Sequence, residues 1–201
     1  MIRRRFLSWL PFSALVGLVA LTGCGNPSRA VFKATDVTGA PWGRQLHLID
    51  HTGKPSSLPD FKGKVIVVFF GYTQCPDVCP TTLAALREVR EKLGADGARL
   101  QVLFVTLDPD RDTQQVLSQY VPAFHPDFLG LYGDAEATAQ AAKEFKVFFS
   151  KNPGTKPSSY TIDHSAGVFI FDPQGRLRLF GTQGYSVDSY LHDIRMLLAE
   201  G

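Results

Sequence analysis

The chain has 201 residues, enough for one domain with a buried core plus additional segments, which excludes a miniature scaffold held up by disulfides alone. Apolar residues make up 44%, aromatic residues 11% and charged residues 20%, a globular composition far from that of a disordered chain. The formal charge of +2 hints at an anionic partner only until its source is located. Residues 1–23 hold three arginines and no acid, and without them the charge is −1, so no nucleic-acid footprint survives.

Arg3, Arg4 and Arg5 precede the uncharged, mostly apolar run Phe6 to Ala20, which ends in Leu21-Thr22-Gly23-Cys24. Positive charge, apolar stretch and small residues, in that order, form an export signal, and the run is shorter than the roughly 20 residues of a spanning helix. Leu-Thr-Gly-Cys resembles the lipobox of bacterial lipoproteins, which predicts a signal peptide over 1–23 and a lipidated Cys24. Arg3-Arg4-Arg5-Phe6-Leu7 also resembles a twin-arginine signal, with Ile2 where Ser or Thr is usual. The small, polar, Gly/Pro-punctuated residues 24–40 are expected to be a tether, and 41–201 the folded domain. With Cys24 committed to lipid, Cys75 and Cys79 remain as a pair in an oxidising compartment.

An N-terminal addition is expected around Leu46 to Phe61. Val65 to Phe70, β-branched and aromatic between Gly63 and Gly71, reads as a strand buried on both faces. Leu83, Leu86, Val89 and Leu93 then mark one face of a helix that starts at Cys79-Pro80 and stops at Gly94. Val102 to Leu107 is a second buried strand. Asp112 with Gln115 predicts a capping box opening a helix through Tyr120, and Ala135 to Phe145 a further helix. Phe169 to Phe171, the turn Asp172-Pro173-Gln174-Gly175 and Arg176 to Phe180 form a hairpin. The last helix runs from about Ser186 with Leu191, Ile194, Leu197 and Leu198 inward. Strand, helix, strand, helix, antiparallel hairpin, helix is the element order of an α/β, thioredoxin-like domain with a central mixed sheet.

Gly71-Tyr72-Thr73-Gln74-Cys75-Pro76-Asp77-Val78-Cys79-Pro80 joins the first buried strand to the first helix, at the strand end where open α/β sheets bind ligands. Pro80 suits the first helical position, which makes Cys79 the expected N-cap, with the helix dipole lowering the cysteine pKa. Cys-x-x-x-Cys is wider than the Cys-x-x-Cys of thioredoxins, so two thiolates can face one ion, although a disulfide also fits. Two thiolates and one imidazole favour copper, or less strongly zinc. Of the five histidines, His192 reads as a surface residue, His47 and His51 flank a turn ahead of the core, and His125 reads as structural. His164, in Asp163-His164-Ser165-Ala166-Gly167, precedes a strand, and in a thioredoxin-like topology the loop entering the hairpin lies beside the cysteines at the helix N-terminus. Asp163 is the candidate outer carboxylate orienting the ring or its loop. Asp108-Pro109-Asp110-Arg111-Asp112 imitates the opening of a calcium loop, but Thr113 and Gln119 stand where Gly and Glu are required, so the segment reads as a strand-to-helix turn.

Gly71 to Pro80, Thr106-Leu107-Asp108-Pro109-Asp110-Arg111-Asp112-Thr113, Phe124-His125-Pro126 and Asp163-His164-Ser165 together closely resemble the SCO/SenC family of copper-binding cytochrome c oxidase assembly factors, over about residues 42–198. The resemblance implies a thioredoxin-like fold, a membrane-tethered periplasmic domain, Cys75, Cys79 and His164 as copper ligands, and a role in maturing the binuclear copper site of oxidase subunit II. The expected activity is therefore a metallochaperone, lipid-anchored through Cys24 and supplied by an upstream periplasmic copper donor. It holds Cu(I) on the three ligands and Cu(II) on the same three plus another oxygen or nitrogen. Ser150 to Ser159 has the composition of a mobile loop that metal binding would order. The rival reading is a thiol-disulfide reductase whose redox dithiol, Cys75 and Cys79, keeps a partner's copper-site cysteines reduced. A peroxiredoxin-like peroxidase and a plain tethering module rank below it.

Overall fold

A computed structural model describes residues 31–155 and 159–201 of the chain. The expected signal peptide 1–23, the lipidation site Cys24 and the first part of the tether lie outside the described residues. No helix among the described residues is long and apolar enough to cross a membrane.

In chain order the elements are β1 (Thr35–Asp36), β2 (His47–Asp50), β3 (Pro55–Ser57), a 3-10 turn over Leu58–Phe61, β4 (Val65–Gly71), α1 (Val78–Lys92), a 3-10 segment over Gly94–Arg99, β5 (Leu100–Thr106), α2 (Gln114–Tyr120), β6 (Leu129–Tyr132), α3 (Ala135–Glu144), β7 (Phe149–Asn152), β8 (Thr161–His164), β9 (Gly167–Phe171), β10 (Leu177–Thr182) and α4 (Val187–Ala199). Among the described residues, eight strands form one mixed sheet in the order β1-β10-β9-β4-β5-β6-β2-β3, and β7 and β8 form a separate antiparallel pair. β4 and β5 run parallel, Val65 opposite Leu100 through Gly71 opposite Thr106, while β9 lies antiparallel on the other side of β4. The expected thioredoxin-like arrangement, a central mixed sheet flanked by helices, stands.

Side chains alternate across a strand, and β4 buries both sets. Val65, Val67 and Phe69 pack with α1 and α4 on one side, and Ile66, Val68 and Phe70 with α3 and the N-terminal addition on the other. That double burial is why the run contains no polar residue. The hairpin turn closes as its residues dictate: Gly175 N–H donates to the Asp172 carbonyl at 2.8 Å, and Gly175 takes the left-handed φ of 78°.

Several boundaries differ from expectation. Residues 31–40, expected within the tether, belong to the folded unit that starts at Val31, and Thr35 and Asp36 pair with Phe180 and Leu179. Thr113 rather than Asp112 caps α2, its hydroxyl accepting from Val116 N–H at 3.3 Å, because the Asp112 carboxylate is drawn elsewhere. Tyr190 is buried in α4 where Leu191 is only half-buried. Ser150–Asn152, expected in a mobile loop, are strand: Phe149 through Asn152 pair with His164 through Thr161. The rest of that loop includes residues 156–158, outside the described set.

Candidate metal centre

The β4–α1 connection begins at the carboxyl end of the parallel strands, where Leu107 N–H, just past β5, donates to the Gly71 carbonyl at 2.8 Å. Gly71 is needed for space: a Cβ there would lie 2.6 Å from Cys79 Sγ and 2.9 Å from Phe104 Cε2. α1 starts at Val78 with Asp77 as its cap, so Cys79 is the second helical residue and not the N-cap. Pro80 is tolerated third in the helix because the first four backbone N–H groups have no partner within it. The helix therefore begins earlier than the proline suggested, and Cys79 is carried inward instead of standing at the mouth.

Cys79 is fully buried and Cys75 half-buried, and both are free thiols. Burial, the largest influence, pushes the Cys79 thiol well above the ordinary cysteine range, and the neighbouring Cys75 adds to the rise against a backbone hydrogen bond from Tyr72. The expected lowering by the helix dipole is thus reversed at Cys79, because desolvation of a thiolate outweighs a partial charge at a helix end.

His164, at the end of β8, completes a group in which the two Sγ atoms and an imidazole nitrogen all lie within 4.8 Å of one another. Nε2 sits 3.9 Å from Cys79 Sγ, and Nδ1 lies 3.2 Å from the Ser165 carbonyl oxygen. A carbonyl only accepts, so the proton is on Nδ1 and the Nε2 lone pair faces the sulfurs. Burial holds the imidazole below its ordinary pKa, which keeps it neutral as a ligand must be. Donors bonded to one ion at roughly 2.0–2.3 Å stand no more than about 4.6 Å apart, so this spacing matches one metal after a small inward adjustment. Soft sulfur with one imidazole is the donor set of copper or zinc.

Asp163 does not orient the ring. Neighbouring strand residues point to opposite faces, Asp163 is exposed, and it is the Ser165 carbonyl that faces Nδ1. The other histidines stay apart: His51 Nδ1 accepts from Gly130 N–H at 3.0 Å, His125 packs against Arg90 and Asp127, and His192 Nδ1 lies 2.7 Å from Asp193.

The acidic segment read as a turn holds the supports of the site. Asp112, 1% exposed, accepts from Thr73 N–H at 2.9 Å, Thr73 Oγ1 at 2.6 Å and Thr106 Oγ1 at 2.6 Å, which pins the loop two residues before Cys75. Its carboxyl is nevertheless raised above the usual range, because burial outweighs those bonds. Asp108, fully buried, accepts from Tyr160 Oη at 2.6 Å and pairs with Arg111. Arg111 in turn donates to Gln74 Oε1 at 3.1 Å and to the Tyr160 carbonyl at 2.9 Å, with its guanidinium 3.5 Å from the Tyr160 ring centre. One arginine thereby ties the cysteine loop to the strand carrying His164. Lys151 adds a second tie from β7 to Asp110 at 2.5 Å. The signal was available in the sequence as carboxylates with nearby threonines and an arginine, but which were buried was not.

A family model described as SCO1/SenC matches residues 35–199. The chain is similar to the mitochondrial SCO2 homolog of Mus musculus, 36% identical over 154 residues, 76% of this chain and 60% of that protein. It spans about 60% of the length of the curated relatives it matches. The fold is similar to the solution structure of apo Sco1 from Thermus thermophilus, with a TM-score of 0.74 and 40% identity over 85% of this chain and 99% of that one. It is also similar to copper-bound ScoI from Bradyrhizobium japonicum, with a TM-score of 0.70 and 33% identity over 76% of this chain and 97% of that one.

Proposed function

The chain belongs to the SCO1/SenC family, and from that premise we propose that it is a copper carrier, tethered to a membrane through lipidated Cys24 and facing the periplasm. It takes copper from an upstream periplasmic donor and helps mature the binuclear copper site of cytochrome c oxidase subunit II. The convergence of Cys75, Cys79 and His164 within 4.8 Å carries this reading, and the copper-bound ScoI of similar fold supports the choice of metal.

Copper is the cargo. Cu(I) is held by the two thiolates and His164 Nε2, and Cu(II) by the same three with one further oxygen or nitrogen donor. Loading expels the proton that burial keeps on Cys79. Unloading proceeds by ligand exchange: an incoming thiolate meets the half-buried Cys75 before it can reach Cys79, so the ion stays bonded to protein throughout. His164, fixed in one tautomer by Ser165, needs no proton rearrangement to bind or let go.

Copper titration of the reduced full chain, followed by absorption and electron paramagnetic resonance, tests the assignment. Cys75→Ser, Cys79→Ser and His164→Ala are each expected to weaken binding by more than the roughly 10–100-fold that loss of an outer-shell partner costs. Unchanged affinity in His164→Ala sinks the three-ligand site.

The two free thiols also favour a second reading, a reductase that attacks a partner disulfide through Cys75 and resolves the mixed disulfide with Cys79. It needs both cysteines and not His164, so a His164→Ala protein that loses copper but reduces its partner at the normal rate supports the reductase.

A further inference from the structure

Large apolar side chains left in solvent are scarce among the described residues, and Phe148, 81% exposed, is the aromatic one. Its backbone is fixed in both directions against Ser165: Phe148 N–H donates to Ser165 Oγ at 3.2 Å, and the Phe148 carbonyl accepts from Ser165 N–H at 2.9 Å. Ser165 is the residue whose carbonyl sets the His164 tautomer. The backbone that presents the ring is thus fixed by the same residue that orients the candidate ligand, one position before the Phe149–His164 pair.

Phe148 and Phe149 are shared by two adjoining hollows. One is an open cleft reaching His164, with Ser150, Asp163 and Ser165 along it. The other is an apolar groove over the end of α3, floored by Ala139, Ala142 and Val147 and edged by Lys143 and Lys146. Among the described residues, Asp163 is the only acid along either hollow. Lys146 adopts a left-handed backbone, φ 55°, at the point where the chain leaves α3, and its ammonium sits 5.4 Å over the Trp42 ring, so this cationic edge is also held in place.

We propose that this surface docks the protein that receives copper from the site, a partner whose metal-binding thiols lie beside an apolar loop flanked by carboxylates. The proposal rests on the copper-carrier reading. Ligand exchange requires the partner's donors to come within bonding distance of an ion held by Cys75, Cys79 and His164, and His164 is also a wall of that cleft, so whatever receives the ion settles beside its rim. An outward aromatic side chain anchored at the rim is the kind of residue that dominates interface energetics once desolvated. The lysine edge selects for negative charge on the partner and speeds its approach.

The test compares the full chain with Phe148→Asp, Phe148→Ser and the double charge reversal Lys143→Glu/Lys146→Glu, loaded with Cu(I) and mixed with reduced, copper-free oxidase subunit II. Copper affinity, measured by competition with a chelator, is expected to stay within twofold in all variants. The transfer rate is expected to fall at least tenfold in both Phe148 variants, and the wild-type rate to fall with added salt while that of the double reversal does not. Equal transfer by wild type and Phe148→Asp overturns the proposal. So does a Phe148-dependent dimer in sedimentation, which would make a second copy the occupant, or Phe148-dependent flotation with anionic vesicles, which would make it a lipid surface. Wild-type protein that binds no copper, or delivers none, overturns the carrier reading itself, an outcome distinct from equal rates.

Discussion

Cys79, buried, and His164, half-buried, have opposite protonation problems, and both follow from desolvation. Burial favours the neutral form of each, raising Cys79 above its ordinary value of 9.0 and lowering His164 below its ordinary 6.5. As pH falls below 6.5 the unfolded chain protonates its histidine first, so the metal-free fold loses stability toward acid. As pH rises past the ordinary thiol value the unfolded chain loses its thiol proton first, so stability also falls toward alkali. Denaturant midpoints of the reduced, metal-free chain are therefore expected to decline on both sides, with His164→Asn removing part of the acid limb and Cys79→Ser part of the alkaline one. Copper binding follows a different course, tightening about tenfold per pH unit from the Cys79 proton alone, which calorimetry in buffers of different ionisation enthalpy reads as proton release. The three candidate ligands, which the fold brings together, were legible because residue type and spacing announce soft-metal chemistry. Their supports were less so: Asp112 lies in a segment that looks like a solvated turn, and its burial depends on Thr73 and Thr106 arriving from two other elements.

Elements with a strong apolar period were foreseen: β4, α1, β5, α3, the β9–β10 hairpin and α4. β7 and β8 were not, because Phe-Ser-Lys-Asn and Thr-Ile-Asp-His carry almost no alternation and exist as strands through pairing with each other and through polar ties to the Asp108–Asp112 segment. This hairpin delivers His164, so the site depends on an element stabilised by its own short ladder and by side-chain bonds to the Asp108–Asp112 segment. Tyr160→Phe deletes one hydroxyl and leaves Asp108 Oδ1 without that donor inside the protein. At about 1–3 kcal/mol for an unmet buried acceptor, local opening becomes roughly 5–150 times as frequent. Amide exchange is expected to speed up by that factor across Thr161–His164, while Thr73 and Cys75, held by Asp112 and the Tyr72 carbonyl, keep wild-type rates. Uniform acceleration of both segments would show that the hairpin does not open by itself.

At the scale of the molecule, two apolar cores back the central sheet, and the start of the folded unit is fastened to the last helix by one carboxylate. Asp193, fully buried, accepts from Lys33 N–H at 2.9 Å and Ala34 N–H at 2.8 Å, and is bonded by Tyr185 and His192 as well. Burial raises its carboxyl, but these bonds outweigh that and hold it below the usual range, so its contribution is present above an ordinary carboxylate pKa and is lost as acid protonates it. Asp193→Ala takes the shared acceptor from two backbone N–H groups and the Tyr185 hydroxyl, all at the edge of the core, and is expected to destabilise the fold by about 1–3 kcal/mol, read by denaturant titration, with early proteolytic cleavage near residues 31–36. This fastening was invisible in the chain because its partners lie about 160 positions apart. The eight-stranded sheet ends at its two margins in β1, two residues long, and β3, three residues long and led by Pro55, whose nitrogen has no hydrogen to give. Among the described residues a neighbouring polypeptide finds only these two- and three-residue ladders to extend, which makes either border a poor template for fibril growth.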